Sequence, residues 1–191
     1  MNPRDKDKPP GQGVKDECPD DLETCRTTKN GLELLLRPVN ISDEDLLKDF
    51  FHRLSDKSLY QRFMSVRKDT PDEHLHKFVL VDYSKEMAIL ATLRGEWGEV
   101  VAGVGQYYVH DQCRTAEVAF IVRDDFQNRG IGTELLKYLT HLATRQGLLG
   151  FTAEVLMENA PMNHMFEMMG FDVQKIFSEG EYHFKMTFRS K

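Results

Sequence analysis

The alternation of hydrophobic and polar positions divides the chain into short blocks, and the repeat of the pattern changes along it. The block GLELLLRPV, which starts at residue 31, predicts a strand that Pro38 ends. Residues 42–54 repeat their apolar positions at helical spacing and carry acidic residues in the first turn, which is typical of an amphipathic helix. Residues 56–63 predict a second helix, and a third is predicted to start at Thr70, just before a proline.

The rest of the chain alternates between the patterns of strands and helices, and each block is bounded by turn residues. The predicted elements are strands at 86–95, 99–110 and 115–123, a helix from about Ile131 to Gln146, a strand at 150–157, a helix closed by Gly170, and two strands on either side of Glu179 and Gly180. This order predicts a mixed α/β fold, with a central twisted sheet of about six to seven strands flanked by helices.

Residues 1–30 differ in composition from the rest, because they are rich in Asp, Lys, Pro and Gly and have few large apolar side chains. Such a segment cannot bury enough surface to offset the entropy lost on ordering. We therefore predict a disordered polar tail at 1–30, followed by a single domain at 31–191.

Charge and composition exclude several classes of protein. The 25 Lys and Arg residues are outnumbered by 31 Asp and Glu residues, for a net charge of -6, which argues against a nucleic-acid binder. No stretch reaches the roughly 18 consecutive apolar residues that a membrane helix needs. The first residues contain no apolar run, so they do not have the pattern of a secretory signal. We expect a cytoplasmic protein that does not bind membranes. Either a monomer or a homodimer is compatible with the sequence.

The potential metal ligands are scattered. The three cysteines, Cys18, Cys25 and Cys113, form no CxxC pair, and the seven histidines have no spacing that would place several on one face of a helix. We therefore expect neither a metal site nor a disulfide framework.

The sharpest chemical signal is the turn QNRGIGT at 127–133, between a predicted buried strand and a long helix. Two glycines allow the backbone to turn tightly and to approach a ligand closely. The helix that starts there presents unpaired N–H groups and the positive end of its dipole, which together suit a pyrophosphate. Taken alone the pattern is weak, because tight strand-to-helix turns also use glycine for structural reasons.

The surroundings of this turn resemble a known family. The segment AEVAFIVRDDFQNRGIGTELL is similar to motif A of the GNAT family of N-acetyltransferases, whose signature Q/R-x-x-G-x-G/A is met by Gln127, Gly130 and Gly132. The later run ENAPMNHMFEMMGF resembles the family's motif B, and the resemblance covers residues 32–188. Residues 37–64 further resemble the acetyltransferase domain of bacterial Pat-type protein lysine acetyltransferases.

The resemblance implies acetyl-CoA as cosubstrate and assigns it a binding site. In the family, backbone amides of the turn hold the pyrophosphate, the end of the preceding strand binds the pantetheine arm, and the first Asn of motif B contacts the same arm. The cofactor-binding residues implied here are Phe120, Ile121, Val122, Gln127, Asn128, Arg129, Gly130, Ile131, Gly132, Thr133, Glu134 and Asn159.

Glu117 is the candidate general base. It lies in TAEVAFIVR, whose two faces are both apolar, so we expect a central strand covered on both sides. A carboxylate there is costly unless it is paired, hydrated or functional, and a buried one suits a general base near neutral pH. The resemblance supports this role, because lysine acetyltransferases of this type carry their base in the same setting. The alternative is that Glu117 lies near the strand edge and faces solvent or bonds to a neighbouring Arg. Glu154, on the next strand, is a second candidate for the base, with a structural role as its alternative.

One position departs from the family. Many members carry in motif B a Tyr that protonates the departing thiolate, whereas this chain has Phe166. The leading hypothesis is direct transfer of an acetyl group from acetyl-CoA to a lysine side chain of a protein partner. A small-molecule amine as acceptor and a module that binds acetyl-CoA without catalysis are the alternatives.

Overall fold

The computed structural model describes residues 22–64, 75, 78–96, 98–110 and 113–189. One eight-stranded sheet organises this part of the chain, in the order β1-β2-β3-β4-β5-β6-β8-β7. The strands are β1 (Thr24–Thr27), β2 (Glu33–Pro38), β3 (Glu86–Gly95), β4 (Gly98–Val109), β5 (Thr115–Val122), β6 (Gly150–Leu156), β7 (Asp172–Ser178) and β8 (Glu181–Thr187). The predicted mixed α/β class is confirmed, and the sheet has one strand more than the sequence predicts.

Neighbouring strands are antiparallel except for β5 and β6, which are parallel. These two strands pair only at their first residues, from Thr115 to Glu117 on β5 and from Gly150 to Thr152 on β6. Both strands continue for several residues beyond this contact, to Val122 and Leu156. They therefore separate and leave a gap in the middle of the sheet.

Four α-helices flank the described sheet: α1 (Glu44–His52), α2 (Asp56–Phe63), α3 (Ile131–Arg145) and α4 (Ala160–Met168). Helix α3 packs closely on β4 because Gly103 and Gly105 have no side chains. A Cβ at Gly105 would lie 3.0 Å from Leu139, and one at Gly103 would lie 3.2 Å from Ile131. Gln106 follows Gly105, so its side chain points to the opposite face, where α2 lies.

The eighth strand comes from the segment that the sequence assigns to a disordered tail. For residues 22–30 that prediction is wrong, because β1 pairs with β2 and the side chain of Leu22 is buried. The hydroxyl of Tyr138 also donates to the carbonyl of Leu22 at 2.7 Å. An edge strand is held by its backbone, so it needs few apolar side chains. Residues 1–21 and most of the helix predicted from Thr70 lie outside the described residues.

Candidate functional site

The predicted phosphate turn lies between the end of β5 and the start of α3. A short 3-10 helix, Asp124–Phe126, follows β5, and α3 begins at Ile131 with Gly130 as its N-cap. Asn128 and Gly130 both have a left-handed backbone, with φ of 59° and 86°. Glycine adopts this conformation without strain, and Asn tolerates it better than most residues. The sequence Gln-Asn-Arg-Gly thus has suitable residues at both positions where the chain turns.

The first turn of α3 offers backbone donors. The amides of Ile131, Gly132 and Thr133 lie ahead of the first intrahelical hydrogen bond, as at any helix N-terminus, and Gly130 has no side chain to cap them. The first such bond runs from the Glu134 amide to the Gly130 carbonyl, at 3.1 Å. The Glu134 amide is therefore already bonded and is not a free donor at the turn, although the resemblance includes it among the cofactor-binding residues. The remaining donors lie at the positive end of a 15-residue helix, which suits an anion.

The space around the turn is shaped by the absence of two side chains. A Cβ at Gly130 would lie 3.3 Å from the Cβ of Thr28, and one at Gly132 would lie 3.4 Å from the sulfur of Met165. Gln127, Asn128 and Arg129 are exposed. The guanidinium of Arg129 lies over the ring of Phe126, 5.3 Å from its centre, and adds a positive charge. The turn therefore has the backbone shape and the charge of an anion-binding site.

A cleft opens where β5 and β6 separate. Strands β5 and β6 form its walls, and helices α2 and α4 contribute side chains. Its lining residues are Gln61, Arg62, Val118, Ala119, Phe120, Ala153, Glu154, Val155, Asn159, Met162 and Phe166. The pairing of β5 with β6 ends at Glu117. Within the described sheet, the backbone edge of residues 118–122 that faces β6 therefore has no strand partner. That edge leads from the cleft to the turn and can pair with an extended ligand.

The structure brings some of the implied pantetheine-binding residues to this cleft. Phe120 and Asn159 line it, whereas Ile121 and Val122 continue along β5 toward the turn. Asn159 is the N-cap of α4, and its side-chain oxygen accepts from the amide of Met162 at 3.3 Å. The cap fixes the Asn159 side chain at the border of the cleft.

Glu117 is exposed, so the prediction that its strand is covered on both faces is wrong at this position. The burial of β5 explains the difference. Ala116, Val118 and Phe120 are buried on the face toward α4, whereas on the other face Ile121 is buried, Ala119 is half-buried and Glu117 is open. Helix α2 covers only the C-terminal part of the β5 face that carries Glu117, Ala119 and Ile121. Glu117 is therefore solvated and lies at the last β5 position that pairs with β6.

A row of side chains crosses the sheet at the level of Glu117. Glu86 on β3 pairs with Tyr108 on β4, Tyr108 pairs with Glu117, and Glu117 pairs with Thr152 on β6. Although 41% of the Tyr108 surface is exposed, burial raises the pKa of its phenol. The charge of Glu86 raises this pKa further, whereas the guanidinium of Arg62 opposes the rise. The sequence does not single out Tyr108, because it stands at the end of a run of strand residues.

Two further charged side chains border the cleft. Arg62 of α2 donates to the side-chain oxygen of Gln106 on β4 at 3.0 Å, which joins the helix to the sheet. Glu154 of β6 lies 3.3 Å from the Nδ1 atom of His183 on β8. Gln106 is buried, and it is the one amide side chain of β4. A buried amide in a strand needs a hydrogen-bond partner, so Gln106 is the signal by which the sequence could have indicated its contact with Arg62.

Within the residues that the structure describes, no group of three or more His, Cys, Asp or Glu side chains is placed to hold a metal ion. None of the helices in that same part of the chain is long and apolar enough to cross a membrane.

Comparison with known proteins places this site in a wider context. The acetyltransferase (GNAT) family matches residues 47–171. The acetyltransferase Pat of Mycolicibacterium smegmatis is 34% identical over 143 residues, which cover 74% of this chain and 42% of that protein. An acetyltransferase of Pseudomonas aeruginosa is 27% identical over 148 residues, which cover 76% of this chain and 78% of that protein.

Solved structures show the same fold. The GNAT domain of S. lividans Pat superposes with a TM-score of 0.80 at 26% identity, covering 90% of this chain and all of that one. A cAMP-binding acyltransferase from Mycobacterium smegmatis gives a TM-score of 0.59 at 28% identity, covering 87% of this chain and 48% of that one. The chain thus spans less than half the length of the mycobacterial relatives.

Proposed function

Because the chain belongs to the acetyltransferase (GNAT) family, and is by that membership an acyl-CoA-dependent N-acetyltransferase, we propose that it acetylates lysine side chains of proteins. The observation that carries this proposal is the position of Glu117, an exposed carboxylate on β5 at the point where the cleft opens. An amine that approaches from solvent can reach this carboxylate without displacing any part of the described fold.

We infer that acetyl-CoA binds along one path from the turn to the cleft. The backbone amides of residues 128–133 hold the pyrophosphate, and the edge of β5 from Phe120 to Val122, which has no strand partner in the described sheet, pairs with the pantetheine arm. Asn159, at the start of α4, faces the same arm from the other side. Acetyl-CoA supplies an activated acetyl group as a thioester, and the chain's own residues place an amine against it.

The acceptor amine must lose a proton before it can attack. A lysine amine has a pKa of about 10.4 and is mostly protonated at neutral pH. Glu117, directly or through one water molecule, takes this proton as general base. The free amine then forms a bond to the carbonyl carbon of the acetyl group, and the bond between that carbon and the sulfur of CoA breaks. Coenzyme A leaves as a thiolate, the nitrogen releases its second proton to solvent, and the acetyl-lysine amide remains on the acceptor.

Carboxylates outnumber the Arg62 guanidinium at and beside the cleft, which favours a cationic acceptor. Glu86 and Glu117 lie on either side of Tyr108 in the row across the sheet, and Glu154 lines the cleft itself. Carboxylates attract an ammonium group and raise its local concentration before it binds. The resemblance to Pat-type enzymes supports a protein as the carrier of this ammonium group.

The proposal is tested by replacing Glu117 with Gln. We expect the turnover number to fall at least about a hundredfold, the usual contribution of a general base, with an unchanged dissociation constant for acetyl-CoA. Initial rates with an acceptor protein and isothermal titration with acetyl-CoA measure the two quantities. Glu154→Gln is the matched control, because it removes an exposed carboxylate from the same cleft. Loss of turnover in Glu154→Gln alone would transfer the role of base to Glu154.

The acceptor class is tested separately by incubating a cell lysate with the protein and acetyl-CoA and then measuring acetyl-lysine by mass spectrometry. New acetyl-lysine that depends on Glu117 supports a protein acceptor. Acetylation of polyamines, amino sugars or aminoglycosides without new acetyl-lysine would indicate a small-molecule acceptor instead. Tight binding of acetyl-CoA with no transfer to either class would indicate a binding module.

A further inference from the structure

The side chain of Gln127 connects the phosphate turn to a different element of the fold. Its amide nitrogen donates to the carbonyl of Val122, at the end of β5, and to the hydroxyl of Ser58, on α2, each at 3.1 Å. Ser58 precedes Gln127 by 69 residues, so this contact is made only in the folded chain. The turn and helix α2 are therefore held together by a polar contact that the family signature does not include.

Asp124 completes the connection. The hydroxyl of Ser58 donates to its carboxylate at 2.9 Å while accepting from Gln127, so both the donor and an acceptor site of this hydroxyl are used. Ser55, the N-cap of α2, donates to the same carboxylate through its amide at 2.9 Å and its hydroxyl at 2.7 Å. Ser58 itself is only 7% exposed. Hydrogen bonds to a charged carboxylate are stronger than those between neutral groups.

Helix α2 carries this connection onward to the cleft. Gln61 and Arg62 follow Ser58 by three and four residues, which places them one turn along the same side of the helix. Both line the cleft, and Arg62 is bonded to Gln106 on β4. Helix α2, which is about two turns long, thus has one end bonded to the phosphate turn and the other at the cleft.

We propose that Ser58 and Asp124 are positioning residues that couple the binding of acetyl-CoA at the turn to the placement of Gln61 and Arg62 in the cleft. The inference rests on the proposed acetyl-CoA site. Pyrophosphate bound to the backbone of the turn restricts the motion of Gln127, and Gln127 restricts α2 through Ser58. Neither positioning residue contacts the cosubstrate in this scheme, so their effect is a coupling between two sites.

Hydrogen exchange of the whole chain, measured with and without acetyl-CoA, tests the coupling. In the wild-type protein we expect acetyl-CoA to slow exchange both at the start of α3 and throughout Asp56–Phe63. In Ser58→Ala the slowing at α3 should persist, while the slowing in α2 is lost. The dissociation constant for acetyl-CoA should rise about two- to tenfold, the usual effect of losing one hydrogen-bonded link.

Ser84→Ala is the matched control, because the Ser84 hydroxyl also donates to a carboxylate, that of Asp82, at 2.6 Å and away from the turn. This variant should behave as the wild type in both measurements. If Ser58→Ala does not fold, Asp124→Asn is measured in its place, since it removes one of the two oxygens that α2 contacts.

The outcomes separate the inference from the function on which it rests. Protection of α3 but not of α2 in the wild type, or protection of α2 that survives in the variant, would overturn the coupling and leave the proposed acetyl-CoA site intact. A variant that loses thermal stability while keeping the protection of α2 would show that the link is merely structural. Absence of any binding by the wild type would overturn both.

Discussion

Tyr108 and Glu117 are direct partners on the adjacent antiparallel strands β4 and β5, with both side chains on the face that α2 only partly covers. Residues opposite each other in such a pair have Cβ atoms about 5 Å apart, so their side chains can contact the same ligand. An amine that gives its proton to Glu117 would therefore lie beside the ring and hydroxyl of Tyr108. This arrangement places Tyr108 at the wall of the proposed acceptor site.

The first prediction concerns this tyrosine. Replacing Tyr108 with Ala removes both the ring, which can pack against an aliphatic lysine stem, and the hydroxyl, which can bond to the amine. We expect the KM for the acceptor to rise about tenfold, equivalent to about 1.4 kcal/mol, with a smaller effect on kcat. Tyr108→Phe, which keeps the ring, should have an intermediate KM. Initial-rate kinetics at saturating acetyl-CoA measure both constants.

Tyr182→Phe is a suitable control for this experiment. Tyr182 lies on β8, and its ring contacts Phe177 and the ammonium of Lys175, so its hydroxyl is not part of the proposed acceptor site. A fall in kcat at unchanged KM in Tyr108→Phe would contradict a role in acceptor binding. It would indicate instead that the phenol takes part in proton transfer.

The second prediction compares two glycines with nearly the same backbone conformation. Gly130 has φ of 86° and Gly170 has φ of 81°, so Ala at either site adopts a left-handed conformation that costs about 1–2 kcal/mol. A Cβ at Gly130 would also lie 3.3 Å from Thr28, inside the phosphate turn, whereas one at Gly170 has no neighbour within 4 Å. Both variants should be less stable to urea, but only Gly130→Ala should bind acetyl-CoA more weakly, by about tenfold.

Calorimetric titration and urea unfolding of the two variants provide the measurements. Equal loss of affinity in both variants would mean that general destabilisation, rather than the shape of the turn, controls binding. Unchanged affinity in Gly130→Ala would remove the turn from the proposed cosubstrate site.

The sequence indicates the turn because its signal is local. A strand, a Gly-x-Gly step and a helix are consecutive in the chain, and each has its own pattern of side chains. The bonds among Ser58, Asp124 and Gln127 have no such pattern, since they join residues up to 69 positions apart. A serine on a predicted helix and an aspartate in a predicted loop are ordinary in isolation. Only the fold brings them together.

The sequence leaves the exposure of Glu117 open for a related reason. Alternating apolar residues predict that a strand is buried but do not give the length of the helix that covers it. The strand β1 was missed because an edge strand is stabilised by backbone hydrogen bonds, which any residue except proline can form. In both cases the deciding partner is remote in sequence.

The third prediction concerns the dependence of stability on pH. The Arg37 guanidinium lowers the pKa of the Glu99 carboxyl below its ordinary value of 4.5, and a hydrogen bond from Thr92 acts in the same direction against partial burial. The carboxylate therefore contributes stability that is fully present above about pH 4.5 and is lost as the pH falls through the lower, folded-state pKa. Glu99→Gln should be less stable than the wild type at pH 7, and this difference should shrink below pH 4.

Urea unfolding of both proteins between pH 3 and pH 9 measures this difference in stability. Between pH 6 and pH 9 the difference should stay constant, which serves as an internal control because Glu99 remains ionised there. A difference that persists undiminished at pH 3 would show that packing of the side chain, rather than its charge, stabilises this part of the sheet.

The last prediction concerns the departure of the thiolate. Phe166 lines the cleft and packs between Phe120 and Phe184, at ring-centre distances of 6.3 and 5.3 Å. Phe166→Tyr places a hydroxyl where many members of the family have one. A thiol has a pKa of about 8.5, so its thiolate leaves readily without a proton donor. We therefore expect kcat to change less than about threefold, and stability to fall by about 1–3 kcal/mol if the buried hydroxyl finds no partner.

Phe184→Tyr separates these two effects, because Phe184 is equally buried but does not line the cleft. Both variants should lose stability in urea, and neither should turn over faster at saturating substrates. A higher kcat confined to Phe166→Tyr would mean that loss of the thiolate limits the reaction. In that case proton transfer to sulfur, rather than removal of the proton from the amine by Glu117, would control the rate near neutral pH.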